Sequence, residues 1–258
     1  MEVEFYKYQG TGNDFIILDN RNKSFPENNQ ELVAKLCNRN FGIGADGLIL
    51  LELKEGFDFS MIYYNSDGFP SSMCGNGGRC LVAFAKRMGL IKDTALFTAV
   101  DGPHKASIIE DMVKLDMKPV SQILKKRNIY FLDTGSPHHV QFVKGLENMD
   151  VRRQGKKLRY GLYGASGANI NFVSERDRDS FSVRTYERGV EDETLSCGTG
   201  VTATAIALYE DNQNIQIPVV LHTLGGILKV SFKKEQGVYK EVVLEGTATF
   251  VFKGIILV

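Results

Sequence analysis

Cys74 and Cys197 stand in stretches that copy one another, SMCGNGGRC and LSCGTGVTA. Each places a thiol, then Gly, a polar residue and Gly, ahead of small and apolar residues that read as a helix. A cysteine at such a start meets the positive end of the helix dipole and outward-pointing amides, both of which favour thiolate. The glycines let a ligand approach the backbone closely, and the helix end is a cradle for a carboxylate. One copy would suggest a nucleophile or a redox thiol. Two copies related by an approximate internal two-fold would face one another across a shared cleft, where they could form a disulfide or act as an acid and base pair. The second use fits inversion at a carbon bearing a carboxylate: one thiolate removes a proton and the opposite thiol delivers another to the other face. Two helix ends aimed at the carboxylate would stabilise the enolate-like charge that develops. This chemistry requires no cofactor; the chain has no P-loop, and GNGGRC fails the dinucleotide fingerprint.

Cys37 and Cys80 read as buried packing residues. Cys74 and Cys80 have no close-spaced second cysteine pair and the four histidines are scattered, a pattern that does not suit a zinc site.

The elements that must position the thiols are mostly strands, runs such as DFIILD, DGLILLEL, SMIYYN, NINFVSE and SFSVRTYE bounded by turn residues. Helices are few: an amphipathic one near Asn29 to Leu36, and one after each cysteine motif. Those two are small or apolar around nearly their whole circumference, so each is expected to be enclosed. The repeat extends upstream, with Asn65 at a strand end before Cys74 and Glu187 at a strand end before Cys197. The economical architecture is a sheet curved around one central helix, made twice, in an α+β fold. The halves are expected at residues 1–118 and 119–258, with a strand near 247–258 that could return to the first.

The chain has 258 residues with 31 basic and 31 acidic side chains, so no global field draws nucleic acid or an anionic membrane. No apolar run approaches the ~18 residues of a membrane helix, and the N-terminal residues lack a signal-peptide pattern. A cytoplasmic protein with free thiols is expected.

GTGNDFIILD, FGIGADGLI, YNSDG, MCGNGGRC, GSPHHV, YERGVEDETLSCGTG and VFKG occur in this order along essentially the whole chain. On these motifs the chain resembles the diaminopimelate epimerases, amino-acid epimerases that work without pyridoxal phosphate. The resemblance implies two similar pseudo-two-fold-related domains, each a curved, mostly antiparallel, barrel-like sheet around a central helix, with the active site in the cleft. It implies interconversion of L,L- and meso-diaminopimelate in lysine and peptidoglycan precursor synthesis, no cofactor or metal, and a homodimer. Cys74 and Cys197 become the catalytic bases. Gly75 and Asn76, with Gly198 and Thr199, bind the reacting carboxylate. Asn13, Asn65 and Asn169 hold substrate, Glu187 and Arg188 meet it, and His138 supports the centre. Outside these motifs a strand-end asparagine is by default a turn former; His104, His139 and His222 carry no role.

Three departures from the family pattern concern the fit of the substrate. Ser136 replaces an asparagine, shortening that contact. Gly47 stands where some members have glutamine. The acidic loop Glu191, Asp192, Glu193 is one residue longer than usual and is expected to alter loop mobility. The competing readings are a sibling racemase for another amino acid such as proline, a redox protein using a regulatory disulfide, and a binding module.

Overall fold

A computed structural model of the chain describes residues 2–26, 29–177 and 179–258. The chain divides into two compact units, Met1–Leu115 with Gly246–Val258, and Asp116–Glu245.

In the first unit the strands lie in the order β17 (Thr249–Leu257), β1 (Glu2–Gly10), β2 (Asn13–Asp19), β3 (Gly47–Glu52), β4 (Phe59–Asn65), β5 (Thr94–Ala99), β6 (Gly102–Ile109) and β7 (Met112–Asp116). Neighbours are antiparallel except β2 with β3 and β4 with β5. Parallel neighbours cannot be joined by a hairpin and need a crossover. Helix α1 (Gln30–Cys37) makes the first crossover and α2 (Gly75–Arg87) the second. Their faces differ accordingly. Val33, Leu36 and Cys37 of α1 pack with Ile16, Leu18, Leu48 and Leu50, whereas a side chain at Gly77 of α2 would meet Phe15 and Ile49. Strands β2 and β3 are thus covered on both sides, which explains why FIIL and LILL are continuously apolar.

The second unit runs β8 (Ile123–Lys126), β9 (Ile129–Asp133), β10 (Pro137–Phe142), β11 (Asn169–Asp177), β12 (Ser180–Glu187), β14 (Val219–Thr223), β15 (Gly226–Glu235) and β16 (Val238–Thr247). The short β13 (Asp192–Thr194) adds to β12. Again, among the described residues, the parallel neighbours are β10 with β11 and β12 with β14, and helices α3 (Val151–Tyr163) and α4 (Gly198–Asp211) cross over between them. The sequence of pairing senses matches that of the first unit strand for strand. By this correspondence β2 matches β10, β3 matches β11 and β4 matches β12; β17 takes the place in the first unit that β8 takes in the second.

The α+β expectation holds, and each sheet curves around its enclosed helix without closing into a barrel. Helix α4 is buried from Gly198 to Leu208 among Val140, Val173, Leu221, Val230 and Leu244. Helix α3 was not anticipated. VRRQGKKLRYGLY has a sparse apolar side: Val151, Gly155 and Arg159 are buried, with Leu158 and Tyr163 partly buried against Ile170, Phe172 and Tyr186. Gly155 lets it approach closely: a Cβ there would lie 2.3 Å from the Cβ of Tyr186. No helix among the described residues is long and apolar enough to cross a membrane.

Candidate active site

Both cysteines are N-caps in extended backbone, Cys74 at φ −106°, ψ 116° and Cys197 at φ −127°, ψ 110°. The first intrahelical bonds are Gly78 N–H to the Cys74 carbonyl at 2.8 Å and Val201 N–H to the Cys197 carbonyl at 2.9 Å. The amides of residues 75–77 and 198–200 therefore point out of the helix ends, as anion cradles do. Cys74 is half-buried and also accepts from Gly77 N–H at 3.5 Å, while Cys197 is buried.

Around Cys74 the decisive group is Asn13, the first residue of β2. Its Nδ2 donates to Asp46 Oδ2 at 2.6 Å, so its Oδ1 is the atom turned to Cys74 Sγ, 3.6 Å away, and to Asn76 Nδ2 at 3.3 Å. Asp46 is held by Arg39 at 2.8 Å, which also grips Asp14 at 2.7 Å. Burial alone would raise the Asp14 carboxyl, but bonds from Arg39 and Lys7 outweigh it and hold it well below the usual carboxylate range. Asn65 closes β4 with a turn, its N–H bonding to the Phe69 carbonyl at 3.0 Å. The starts of β2 and β3 and the end of β4 lie at one end of the sheet, so Asn13, Asn65 and the head of α2 share it. Gly47 is excluded from any side-chain role, because a Cβ there would lie 2.5 Å from the Tyr63 ring.

Arg79, one turn into α2, is wholly buried. Its guanidinium bonds Thr11 Oγ1 at 3.2 Å and the Gly75 carbonyl at 3.5 Å, with Nε unpartnered, and burial disfavours its charge while the nearby Cys80 and Cys74 sulfurs favour it. Burial pushes the Cys37 and Cys80 thiols up to about 12, which suits packing residues.

Cys197 has different surroundings. Its Sγ lies 3.5 Å from Thr199 Oγ1, which lies 2.9 Å from His138 Nε2. His138 Nδ1 is 3.1 Å from Asn171 Nδ2, and Asn171 Oδ1 accepts from Thr185 Oγ1 at 2.9 Å. Desolvation, helped by the Arg188 charge, takes His138 down to about 3, so it is a neutral imidazole. Thr134 Oγ1 bonds the Thr199 carbonyl at 2.8 Å.

The remaining anticipated residues gather at the same end of this sheet. Asn169 begins β11 beside His138, and its Oδ1 accepts the Arg188 N–H at 2.8 Å. Its Nδ2 donates to Ser136 Oγ at 3.1 Å, so the shorter Ser136 orients a neighbouring amide. Glu187 ends β12 as Asn65 ends β4. The Arg188 guanidinium is held by the Ser166 carbonyl at 2.9 Å. The longer acidic loop is tied down: Glu191 to Arg159 at 3.2 Å, Glu193 to Arg184 at 2.6 Å and Asp192 to Arg152 at 3.4 Å.

Asn171, Asp46, Thr134 and Arg79 went unnoticed in the sequence. Asn171 had a readable signal: it follows Asn169 by two residues in a strand, hence on the same face, and that face lies under a helix expected to be enclosed. A cavity of about 330 Å³ in the second unit, lined by Phe142, Val173, Phe181, Leu208 and Asp211, contains none of these groups.

A family profile described as diaminopimelate epimerase matches residues 5–123 and 130–251. A diaminopimelate epimerase of Flavobacterium psychrophilum is 55% identical, over 97% of this chain and 99% of its own. One from Chlorobaculum tepidum is 41% identical over 96% and 98%. Among solved structures, a Bacillus anthracis phenazine biosynthesis protein of the PhzF family superposes with a TM-score of 0.81 at 15% identity, covering 100% of both chains. A hydroxyproline epimerase from Agrobacterium vitis gives 0.71 at 14%, covering 99% of this chain and 92% of its own. These two report the fold alone.

Proposed function

The chain belongs to the diaminopimelate epimerase family and is an isomerase of the epimerase type, and from that premise we propose that it interconverts L,L- and meso-diaminopimelate by proton exchange between Cys74 and Cys197. The observation that carries the mechanism is the pair of N-cap cysteines, each heading a helix that opens Gly-polar-Gly.

One cysteine, as thiolate, takes the α proton and becomes a thiol. The electron pair left on carbon spreads into the carboxylate, where outward amides at residues 75–77 and 198–200 stabilise the enediolate charge. The other cysteine gives its S–H proton to the opposite face and becomes the thiolate. One proton is lost, one is gained, and the configuration inverts. Asn13, Asn65, Asn169, Glu187 and Arg188 bind the amino-acid groups, and Arg188 suits the distal carboxylate because a guanidinium can grip it with two parallel bonds. A substrate lacking that end leaves polar groups unpaired and is rejected.

The reaction places the enzyme in lysine and peptidoglycan precursor synthesis in the cytoplasm. It acts as a homodimer, a reading supported by exposed Val251, Ile255 and Leu257 along one face of β17.

The test uses reduced protein with L,L-diaminopimelate in heavy water, following stereoisomers and deuterium. Meso product carrying α deuterium is expected, and Cys74→Ala and Cys197→Ala should each abolish epimerisation. Near-normal turnover in either variant removes that cysteine from the mechanism. Product from proline but not from diaminopimelate would favour a sibling racemase.

A further inference from the structure

The two thiols have matching places in the repeat but unequal floors beneath them. Phe15 pairs with Gly47 in β2–β3, as His138 pairs with Asn169 in β10–β11. By the same register Ile49 corresponds to Asn171. The second glycine of each motif rests on these residues: a Cβ on Gly77 would lie 3.0 Å from Ile49 and 3.4 Å from Phe15, one on Gly200 2.3 Å from Asn171 and 3.3 Å from His138. One floor is apolar and the other is a pair of hydrogen-bonding groups.

The polarity of the second floor is fixed by the backbone. Asn171 Nδ2 faces the His139 carbonyl at 3.0 Å, with the Asn169 carbonyl at 3.5 Å; an amide flipped the other way would set oxygen against oxygen. The Thr185 hydroxyl supplies its proton to Oδ1 at 2.9 Å. Nδ2–H therefore donates to His138 Nδ1, and a neutral imidazole accepting at Nδ1 carries its proton on Nε2. Nε2–H donates to Thr199 Oγ1. With Nε2–H on one lone pair, the Thr199 hydroxyl keeps its own proton to give to Cys197 Sγ, 3.5 Å away, when that sulfur is a thiolate. At Cys74 the polarity is opposite, because Asp46 holds the Asn13 amide nitrogen and leaves its carbonyl oxygen facing the sulfur. A carbonyl oxygen stabilises a thiol and repels a thiolate, while a hydroxyl donor does the reverse.

We propose that the resting enzyme holds Cys197 as the thiolate and Cys74 as the thiol, and that Asn171 is the positioning residue that sets this order through His138 and Thr199. The inference rests on the two-cysteine reading and assigns the starting proton to one of its members. The charged and titratable groups around the relay are Arg188, which acts on His138, His139, whose carbonyl bonds Asn171 and whose ring bonds Tyr163, and Glu187 at the end of β12. Around Cys74 they are Arg79, Cys80 and the Asp14–Asp46 pair with Arg39 and Lys7. Arg79 and the Gly77 N–H, 3.5 Å from Sγ, both favour an anion at Cys74, so the carbonyl of Asn13 is the group that keeps the proton there.

The experiment follows thiolate absorbance in the ultraviolet against pH in full-length Cys74→Ser and Cys197→Ser proteins. Cys37 and Cys80, pushed up to about 12, stay silent across the neutral range. Cys197 should ionise at lower pH than Cys74. Adding Thr199→Val to Cys74→Ser should cut the Cys197 thiolate population at fixed pH about tenfold, the worth of one hydrogen bond to a charged group. Thr199→Ser should restore it, and Asn171→Ala should act in the direction of Thr199→Val. The Cys74 profile should not move with any of these changes. Ionisation of Cys74 first, or a Cys197 profile indifferent to Thr199→Val, overturns the assignment. Neither result touches the two-cysteine reading, which stands or falls on deuterium exchange in the alanine variants.

Discussion

His138 shows how a single residue links this site to stability. It is buried and neutral with its ionisation near 3, while in the unfolded chain it would ionise near the usual ~6.5. Between those values the unfolded state binds a proton that the folded state refuses, so stability falls as pH falls through that window. At about pH 5 the loss relative to neutrality is about 2 kcal/mol. His138→Phe, which copies Phe15 of the first unit, should remove that part of the acid sensitivity, seen as a smaller difference in urea midpoint between neutral and mildly acid buffer. An unchanged difference would show that His138 takes up its proton in the folded protein. The cysteine motifs were readable because a thiol followed by two glycines fills little space at a helix start, so its repetition speaks of chemistry and not of packing. For Asn171 the sequence shows the strand face that it shares with Asn169, but not its role, which appears only when the imidazole and hydroxyl that it orders are placed beside it.

At the scale of elements, α3 is the helix that the cysteine motifs did not foretell, yet the repeat required it. If α1 joins parallel β2 and β3, the corresponding β10 and β11 need their own crossover, and DVRRQGKKLRYGLYG is the stretch available. Its burial pattern hid it: between Val151 and the partly buried Leu158 and Tyr163, the side it turns inward carries a glycine and an arginine. Asp150 was the readable signal, an N-cap that accepts from Arg153 N–H at 3.0 Å. The helix places Arg152 and Arg159 on the acidic loop that leads to Cys197. Gly155→Ala should therefore destabilise by about 1–3 kcal/mol through the clash with Tyr186, although alanine in a helix interior is otherwise worth up to ~1 kcal/mol over glycine. Urea unfolding measures the sign. A stabilised variant would mean that α3 can shift away from β12 at little cost.

At the scale of the whole molecule, β17 is the unusual strand, because the first unit borrows it from the other end of the sequence. Phe250 and Phe252 stack edge-on with Tyr8 and Phe5, 5.5 and 5.8 Å between ring centroids, so β1 depends on it. Glu2 pairs with Leu257, which brings the two ends of the chain together. A permuted chain with residues 246–258 first, a short turn, and then residues 2–115 should fold cooperatively by itself, as followed by circular dichroism and urea, whereas residues 2–115 alone should not. Cooperative unfolding of the shorter piece would make β17 dispensable to the first unit.

That borrowed strand also sets an order in time. On the ribosome the first unit is nearly all made by Leu115, yet its β1 edge waits while residues 116–245 are added, on the order of ten seconds at ~5–20 residues per second. The second unit has all its strands before then. The half whose synthesis starts first is thus the last to finish folding, and through that interval β1 offers other chains an open edge, the kind of edge at which new polypeptides aggregate and chaperones bind.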